Sequence, residues 1–339
     1  MTGDGALGEP YDAFAPHRVA AELLSANLRV VEVAVAVLRR GDGCVLLAQR
    51  PPDKVYAGYW EFPGGKVEPG ESPESALARE IREELSVEIA CAYPWVTQVF
   101  TYPHATVRLN FFRVTAWKGE MRVHEHQDAA WQRPESVSVA PLLPANGLVL
   151  KALQLPHEYA ISQALELGAT EFLARLERRL AAGLRMVQVR ELGASREFLA
   201  DLCDRVIALT RRHGAQVLVN GDIALARGVG ADGVHLTARQ VAAAAERPEL
   251  PWCGASCHSV EELRAAERLG ADFAVLGPVR STPSHPDRAP LGWRRFAEIA
   301  RGASIPIFAL GGVVPADLEV AWRCGAHGVS MVRGAWRES

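Results

Sequence analysis

The stretch GGKVEPGESPESALAREIREELSV (64–87) begins with paired glycines and contains six glutamates and two arginines. Ser72 followed by Pro73 is typical of a helix start, because the hydroxyl can cap the first turn and proline is tolerated there. We therefore predict a helix from about Pro73 to Leu85. The density of acidic residues on this helix decides what the surrounding domain is.

Three carboxylates share one face of the predicted helix. Glu80, Glu83 and Glu84 stand at relative positions i, i+3 and i+4, and the neighbouring apolar stripe that would pack on a sheet consists of Leu77, Ile81 and Leu85. Like charges this close repel one another, so they form either a solvated surface or the ligands of a cation. The preceding turn EFPGG (61–65) favours the second alternative, since glycine backbone approaches a ligand closely. Such oxygen ligands suit Mg²⁺ or Mn²⁺.

The whole chain has the composition of a globular protein. Its 339 residues exceed a typical domain, so we expect two domains. The formal charge of −3 gives no general attraction to polyanions, so we expect no stable nucleic-acid or membrane partner. No run approaches the roughly 20 apolar residues that a bilayer requires, and the six cysteines lack CxxC or zinc spacing. We expect a cytoplasmic protein with reduced thiols; its oligomeric state is left open.

The first half of the chain shows the pattern of an α+β domain. Residues 1–27 are expected to be a poorly ordered leader, and 28–154 the first domain. The runs VVEVAVAVLRR (30–40) and VLLAQR (45–50) flank a GDG turn and predict a hairpin. We expect a mixed or antiparallel sheet with flanking helices.

The second half, 155–339, has a different rhythm. Eight short apolar runs alternate with helical segments: EYAIS, MVQVR, QVLVNG, GVHL, WCGASC, FAVLGPV, PIFALGG and GVSMV. This alternation predicts parallel βα units that close into an α/β (β/α)8 barrel, with an open doubly wound sheet as the alternative.

The acidic stretch resembles a known motif. Gly65, Glu71 and the run REIREELSV (79–87) are similar to the Nudix box, G-x5-E-x7-R-E-U-x-E-E-x-G-U, in which U is aliphatic. Ser86 stands where the family has glycine. Because that glycine closes the helix, we expect a less favourable C-cap and no loss of chemistry.

The Nudix resemblance implies a site and a reaction. It makes metal ligands of the Gly64 carbonyl and of the carboxylates of Glu80, Glu83 and Glu84. Glu71 and Arg79 would brace the loop against the helix. The implied reaction is a Mg²⁺- or Mn²⁺-dependent attack of water on a phosphorus of a nucleoside diphosphate derivative.

Outside the box, the first half is similar to the MutT-type branch, which hydrolyses 8-oxo-dGTP to the monophosphate and pyrophosphate. The resemblance places Arg50 near the nucleotide and Asn146 on the oxidised guanine, although Asn146 could instead cap the following helix. Tyr102 would flank the base or pack in the sheet. Glu125 would add a loop carboxylate to the metal. The implied substrate is a small-molecule purine nucleotide, and an aberrant thiamine-type diphosphate is the alternative.

Residues 156–335 resemble the thiamine phosphate synthase and thiazole tautomerase superfamily. The segments ALGGV (309–313) and GAHGVSMVRGA (325–335) are similar to the loops that hold a phosphate. The resemblance implies a phosphate site at the carboxyl ends of the strands. Its backbone N–H groups would come from Gly311, Gly312, Ser330 and Val332.

Four further residues concern the ligand of the barrel. Gln188 and Arg190 match the family's Q-x-R strand, and Asn220 ends the next strand. His258 in GASCHSVEE stands where the tautomerase branch has a histidine suited to proton transfer, although a histidine there is also compatible with a structural role. The resemblance implies a thiamine or thiazole phosphate as ligand.

Several groups that a synthase uses are replaced. Glu191 stands at a basic position, the two magnesium-binding aspartates fall on Gly221 and Gln240, and the lysine of the pyrophosphate loop falls on His285. A departing pyrophosphate would lack charge stabilisation. We therefore doubt classical synthase activity, and consider a non-catalytic phosphate sensor or a thiazole tautomerase.

Overall fold

A computed structural model describes residues 30–282 and 289–337. The predictions for the leader at 1–27 and for His285 lie outside these residues. Among the helices that the structure describes, none has the length and apolarity needed to cross a membrane.

The first half is an α+β domain, as predicted. Its elements are β1 (Val31–Leu38), β2 (Val45–Gln49), β3 (Trp60–Glu61), β4 (Gly64–Lys66), α1 (Pro73–Leu85), β5 (Glu88–Tyr102), β6 (Ala105–Lys118), β7 (Asp128–Gln132) and α2 (Asn146–Ala152). One sheet has the order β4-β1-β6-β5, in which only β1 and β6 run parallel. A second, antiparallel sheet has the order β3-β2-β7.

The predicted pairing of β1 with β2 in a hairpin is wrong, although the turn between them is present. Strands β1 and β2 meet only at an antiparallel bridge between Arg39 and Val45. The reason is that β4 and β6 occupy both edges of β1, so β2 turns away and pairs with β3 and β7.

Helix α1 has the predicted bounds. The Oγ of Ser72 accepts a hydrogen bond from the Ser75 amide at 3.2 Å, and the buried side chains of Leu77, Ile81 and Leu85 pack on the sheet. Ser86 closes the helix with φ 57, in the left-handed region that favours glycine. The unfavourable C-cap expected at this position is therefore present.

The second half is a closed barrel of eight parallel strands, and every predicted strand is found. Its elements are β8 (Glu158–Ile161), α3 (Ala164–Leu167), α4 (Ala169–Ala181), β9 (Met186–Val189), α5 (Arg196–Arg212), β10 (Gln216–Asn220), α6 (Ile223–Gly228), β11 (Gly233–Leu236), α7 (Ala238–Ala243), β12 (Trp252–Cys257), α8 (Val260–Leu269), β13 (Phe273–Leu276), α9 (Gly292–Ala300), β14 (Ile307–Leu310), α10 (Leu318–Arg323) and β15 (Gly328–Met331). Strand β15 pairs with β8 and closes the sheet, so the open-sheet alternative is wrong.

Two apolar layers stabilise the barrel. Large side chains fill its interior, among them Tyr159, Phe273 and Phe308, and a second cluster lies between the strands and the surrounding helices. The interior is therefore a packed core, and a ligand can enter only at the ends of the strands.

Candidate functional site

The carboxylates of α1 gather at the turn formed by Gly64 and Gly65. The Gly64 amide donates a hydrogen bond to Oε2 of Glu84 at 3.0 Å. A Cβ on Gly65 would overlap the carboxylate of Glu80, and a Cβ on Gly64 would overlap the carbonyl oxygen of Ala34. Gly64 therefore requires glycine, because its clash is with backbone and its φ is positive. At Gly65, the missing side chain allows the carboxylate of Glu80 to lie against the turn.

Arg79 connects most of the remaining acids. Its Nε and Nη2 lie 3.2 and 2.9 Å from the two oxygens of Glu71, and its Nη1 lies 2.7 Å from Oε1 of Glu80 and 3.3 Å from Oε2 of Glu83. Nη2 also donates to the Lys66 carbonyl at 3.0 Å. Arg79 and Glu71 thus hold the loop before α1 against the helix.

Glu84 is the most buried of these acids, with 3% of its surface exposed. Burial, and then the nearby carboxylates of Glu80 and Glu61, raise the pKa of its carboxyl to about 8. A concentration of carboxylate oxygens that resists ionisation is stabilised by a cation.

The donor chemistry of this turn fits Mg²⁺ or Mn²⁺, since carboxylate and carbonyl oxygens are the ligands these ions prefer. Within residues 30–282 and 289–337, no group of three His, Cys, Asp or Glu side chains is arranged to enclose an ion. Arg79 supplies the positive charge beside Glu80 and Glu83 instead. Glu125 pairs with Lys54 at 3.6 Å and is half-exposed, so its role at a metal stays a prediction.

A second group of predicted residues lies on the other side of Glu61. Nη1 of Arg50 lies 2.5 Å from Oε1 of Glu61. Burial, and then the charge of Glu61, raise the pKa of Tyr102 to about 12. Glu61 therefore interacts with both Glu84 and Tyr102, and it joins the acidic turn to the predicted nucleotide side.

Asn146 lies next to Tyr102, whose hydroxyl contacts the backbone of Ala145. Asn146 is 4% exposed, and its Nδ2 donates to the Trp60 carbonyl at 3.2 Å. The alternative that Asn146 caps α2 is wrong, because the helix begins at this residue, Ala145 is the N-cap and no side chain bonds there.

Sequence reasoning missed three residues of this region. They are Glu61, Tyr56, whose ring lies 5.4 Å from that of Tyr102, and His126. Nε2 of His126 lies 3.7 Å from Oε1 of Glu84, and burial lowers the pKa of this imidazole to about 4. The only sequence signals were the adjacency of Glu61 to the glycine turn and of His126 to Glu125.

The barrel contains a cavity of about 450 Å³ at the carboxyl ends of its strands. All eight barrel residues singled out from the sequence line it: Gln188, Arg190, Asn220, His258, Gly311, Gly312, Ser330 and Val332. Nε2 of Gln188 donates to the Tyr159 hydroxyl at 3.0 Å. The Oγ of Ser330 is buried and has no hydrogen-bond partner in the described part of the chain. His258 holds Glu262 through Nδ1 at 2.9 Å.

Gly221 and Gln240, to which the resemblance assigns the aspartates of a synthase, form a hydrogen-bonded latch. Nε2 of Gln240 donates to the Gly221 carbonyl at 2.6 Å, and Oε1 of Gln240 accepts from the amide and the hydroxyl of Thr237. The carboxylate of Glu191 accepts from Ser162 and from the amides that begin α3, so it serves as a helix cap. None of these groups offers a carboxylate to a metal at the cavity.

These features define a two-domain protein whose sites suit small molecules that carry phosphate groups. Residues 34–152 match the family described as NUDIX domain, and residues 158–335, which are more than half of the chain, match the family described as Thiamine monophosphate synthase. The chain belongs to the thiamine monophosphate synthase family through its barrel, and it carries a Nudix hydrolase domain before that barrel.

Individual relatives match one domain each. The CTP pyrophosphohydrolase of Escherichia coli (strain K12) is 40% identical over 125 residues, which are 37% of this chain and 92% of that protein. The thiamine-phosphate synthase of Desulfitobacterium hafniense (strain DSM 10664 / DCB-2) is 33% identical over 179 residues, 51% of this chain and 86% of that protein. A solved thiamine phosphate pyrophosphorylase from Pyrococcus furiosus aligns over 52% of this chain and 84% of its own, with 26% identity and a TM-score of 0.44. Nudix hydrolases generally use a divalent metal such as Mg²⁺.

Proposed function

We propose that the first domain is a Mg²⁺- or Mn²⁺-dependent pyrophosphohydrolase that cleaves nucleoside triphosphates to the monophosphate and pyrophosphate. The observation that carries the proposal is the buried carboxylate of Glu84, held by the Gly64 amide with Glu80 packed on Gly65. The bound metal would supply an activated water and offset the charge of the phosphates.

The chain's own residues would divide the work. Glu80, Glu83, Glu84 and the Gly64 carbonyl would hold the metal. Arg79 would keep Glu71 and the loop in place and release the acids that it pairs with when the metal binds. Glu125 would contribute from its loop.

The nucleotide would lie beyond Glu61, against Arg50, Tyr102 and Asn146. The amide of Asn146 is already oriented by the Trp60 carbonyl, so it would meet a base edge without losing further side-chain freedom. We propose an oxidised purine such as 8-oxo-dGTP as the substrate, cleaved in the cytoplasm as part of nucleotide-pool sanitation.

A cytidine nucleotide is the second candidate. It is favoured by the 40% identity to the relative named CTP pyrophosphohydrolase. A thiamine-type diphosphate is the third, because the second domain belongs to a thiamine-related family.

The test is pyrophosphate release by the full chain in Mg²⁺, compared for 8-oxo-dGTP, dGTP, CTP and dCTP, with phosphate release measured for thiamine diphosphate. We expect kcat/KM for 8-oxo-dGTP to be the highest, and Asn146→Ala to reduce this preference by roughly tenfold or more. A CTP preference that survives in Asn146→Ala would overturn the choice of base but leave the hydrolase. If none of the five compounds is turned over, the hydrolase proposal itself is overturned.

We propose that the barrel binds a thiamine or thiazole phosphate without synthase chemistry. The supporting observation is the latch between Gln240 and Gly221 in a cavity that keeps the predicted phosphate loops. Calorimetry with thiamine monophosphate, paired with a synthase assay, tests this. Binding without product formation is expected, and thiamine phosphate formation would contradict it.

Isomerisation of a thiazole phosphate that is lost in His258→Gln would establish the tautomerase alternative.

A further inference from the structure

A second cavity, of about 250 Å³, lies where the two domains meet. Its wall includes Arg39, which follows β1, Arg113 and Thr115 within β6, and His157 and Trp322 of the barrel domain. We call it the interdomain pocket. It shares no residue with the acidic turn or with the barrel cavity.

Arg113 is the unusual residue of this pocket. Only 2% of its surface is exposed, and its guanidinium lies between the rings of Trp95, at 5.3 Å, and Trp322, at 4.9 Å. Nη1 and Nη2 make long contacts of 3.4 Å to the carbonyl oxygen and Nδ1 of His327. Its Nε is buried and has no acceptor among the described residues. A buried guanidinium with an unused donor is strongly unfavourable unless an anion or water completes it.

The two histidines beside Arg113 are neutral. Nε2 of His327 donates to the Leu155 carbonyl at 3.0 Å, which leaves Nδ1 as an acceptor for Arg113. Nε2 of His157 lies 3.2 Å from Nη1 of Arg39 and must accept, because a guanidinium only donates. Burial and the neighbouring arginines lower the pKa of both imidazoles. The histidines therefore add no charge to the pocket.

No described carboxylate pairs with either of the two arginines. Asp42 pairs with Arg40 at 2.7 Å and Glu319 with Arg323 at 2.6 Å. Burial lowers the pKa of Arg39, and the charge of Glu135 opposes this shift without an ion pair, since Glu135 pairs with Arg133 at 3.7 Å. In the ranges 30–282 and 289–337, neither Arg39 nor Arg113 forms an ion pair with Asp or Glu. Two arginines thus line one pocket without an ion-pair partner among the described residues.

We propose that the interdomain pocket binds an inorganic phosphate-class oxyanion, phosphate or pyrophosphate, between Arg39 and Arg113. Two arginines without an ion-pair partner match the double charge of a phosphate group, and guanidinium groups bind such oxygens in pairs. The oxyanion accepts hydrogen bonds from the unused Nε–H of Arg113 and from the hydroxyl of Thr115. Because the wall comes from both domains, the bound anion adds a link between them.

Calorimetric titration of the full chain tests this proposal. Phosphate and pyrophosphate are titrated separately at constant ionic strength, with a chelator present to suppress metal-dependent binding at the acidic turn. Arg39→Gln should weaken the pocket-dependent binding at least tenfold. Arg108→Gln is the matched control, because Arg108 lies on β6 with Arg113, pairs with Glu32 and does not line the pocket. The affinity of this variant should stay within twofold of wild type.

A second variant supplies the anion from the chain itself. Thr115 is exposed at the pocket, so Thr115→Glu should remove the pocket-dependent binding and raise the Tm of the ligand-free protein. Ala116→Glu adds the same charge at the adjacent exposed position, which does not line the pocket, and should do neither. Binding that is equal in wild type, Arg39→Gln and Thr115→Glu would overturn the proposal, as would its absence from wild type. Binding of acetate as tightly as phosphate would overturn the phosphate class.

Discussion

The acidic turn of the first domain and the cavity of the barrel keep different parts of a phosphate site. At the acidic turn, the paired glycines bring carboxylates against the backbone, and burial raises the pKa of Glu84, so that a cation would be needed to stabilise its ionised form. At the barrel cavity, the glycine loops remain, whereas the side-chain amide of Gln240 forms hydrogen bonds with Gly221 and Thr237 and offers no carboxylate. The difference indicates that holding a phosphate and transferring one require different groups. Backbone amides suffice for the first, and a cation held by acids serves the second.

The largest expected effect breaks the acidic turn without changing an acid. Gly65→Ala places a methyl group into the carboxylate of Glu80 and should lower kcat/KM for the nucleotide by about 100-fold or more, because small displacements of catalytic groups are costly. Gly41→Ala is the matched control, since Gly41, like Gly65, has no positive φ but has open space around it. Equal activity in Gly65→Ala and wild type would contradict the close approach.

The next effect concerns the stability of the barrel at low pH. Burial lowers the pKa of His235 to about 3, and this imidazole contacts the Tyr159 hydroxyl and the Oγ of Ser256. Because its folded pKa lies below the unfolded value of about 6.5, the unfolded chain binds the proton first, and stability falls as the pH drops from 6.5 toward 3. Each such histidine contributes a slope of up to about 1.4 kcal/mol per pH unit. Urea unfolding at several pH values should show a shallower slope in His235→Gln, and an unchanged slope would refute the assignment.

A smaller effect tests whether the latch is structural. Gln240→Ala removes the contacts to Thr237 and Gly221 and should lower the free energy of unfolding by about 1–2 kcal/mol. Arg239→Ala, at the neighbouring position of α7, serves as control. The loss of unfolding free energy in each variant should be the same with and without Mg²⁺. If Mg²⁺ changes the stability of wild type and Gln240→Ala abolishes that change, Gln240 takes part in metal binding and the purely structural role is wrong.

The smallest effect lies at the end of α1. Ser86→Gly relieves a left-handed residue at the cost of a more flexible unfolded chain, so we expect a stabilisation of no more than about 1 kcal/mol. Thermal unfolding would measure it. Activity should be unchanged, and a loss of turnover would mean that Ser86 contributes more than helix closure.

The sequence was most informative where local rules decide the structure. The start of α1 at Ser72 and Pro73 and all eight barrel strands follow from capping and periodicity. The hairpin failed because strand pairing depends on which edges other strands already occupy, and β6 lies far along the chain from β1.

The candidate site was predictable only in part, for the same reason. The acids of α1 are close in sequence, so their shared face could be foreseen. The meeting of Glu61, Tyr102 and the backbone beside Asn146 depends on three separate segments folding together. Burial of Arg113 between domains left no mark in the sequence.

The central claim is that Glu84 anchors a metal-dependent hydrolase. Its most direct test is pyrophosphate release from 8-oxo-dGTP and CTP in Mg²⁺, compared among wild type, Glu84→Gln and Glu74→Gln. Glu74 lies exposed in the first turn of the same helix and matches the change in charge. The account predicts turnover in wild type and Glu74→Gln and a loss of about 1,000-fold or more in Glu84→Gln. Turnover in Glu84→Gln equal to that of wild type would contradict it.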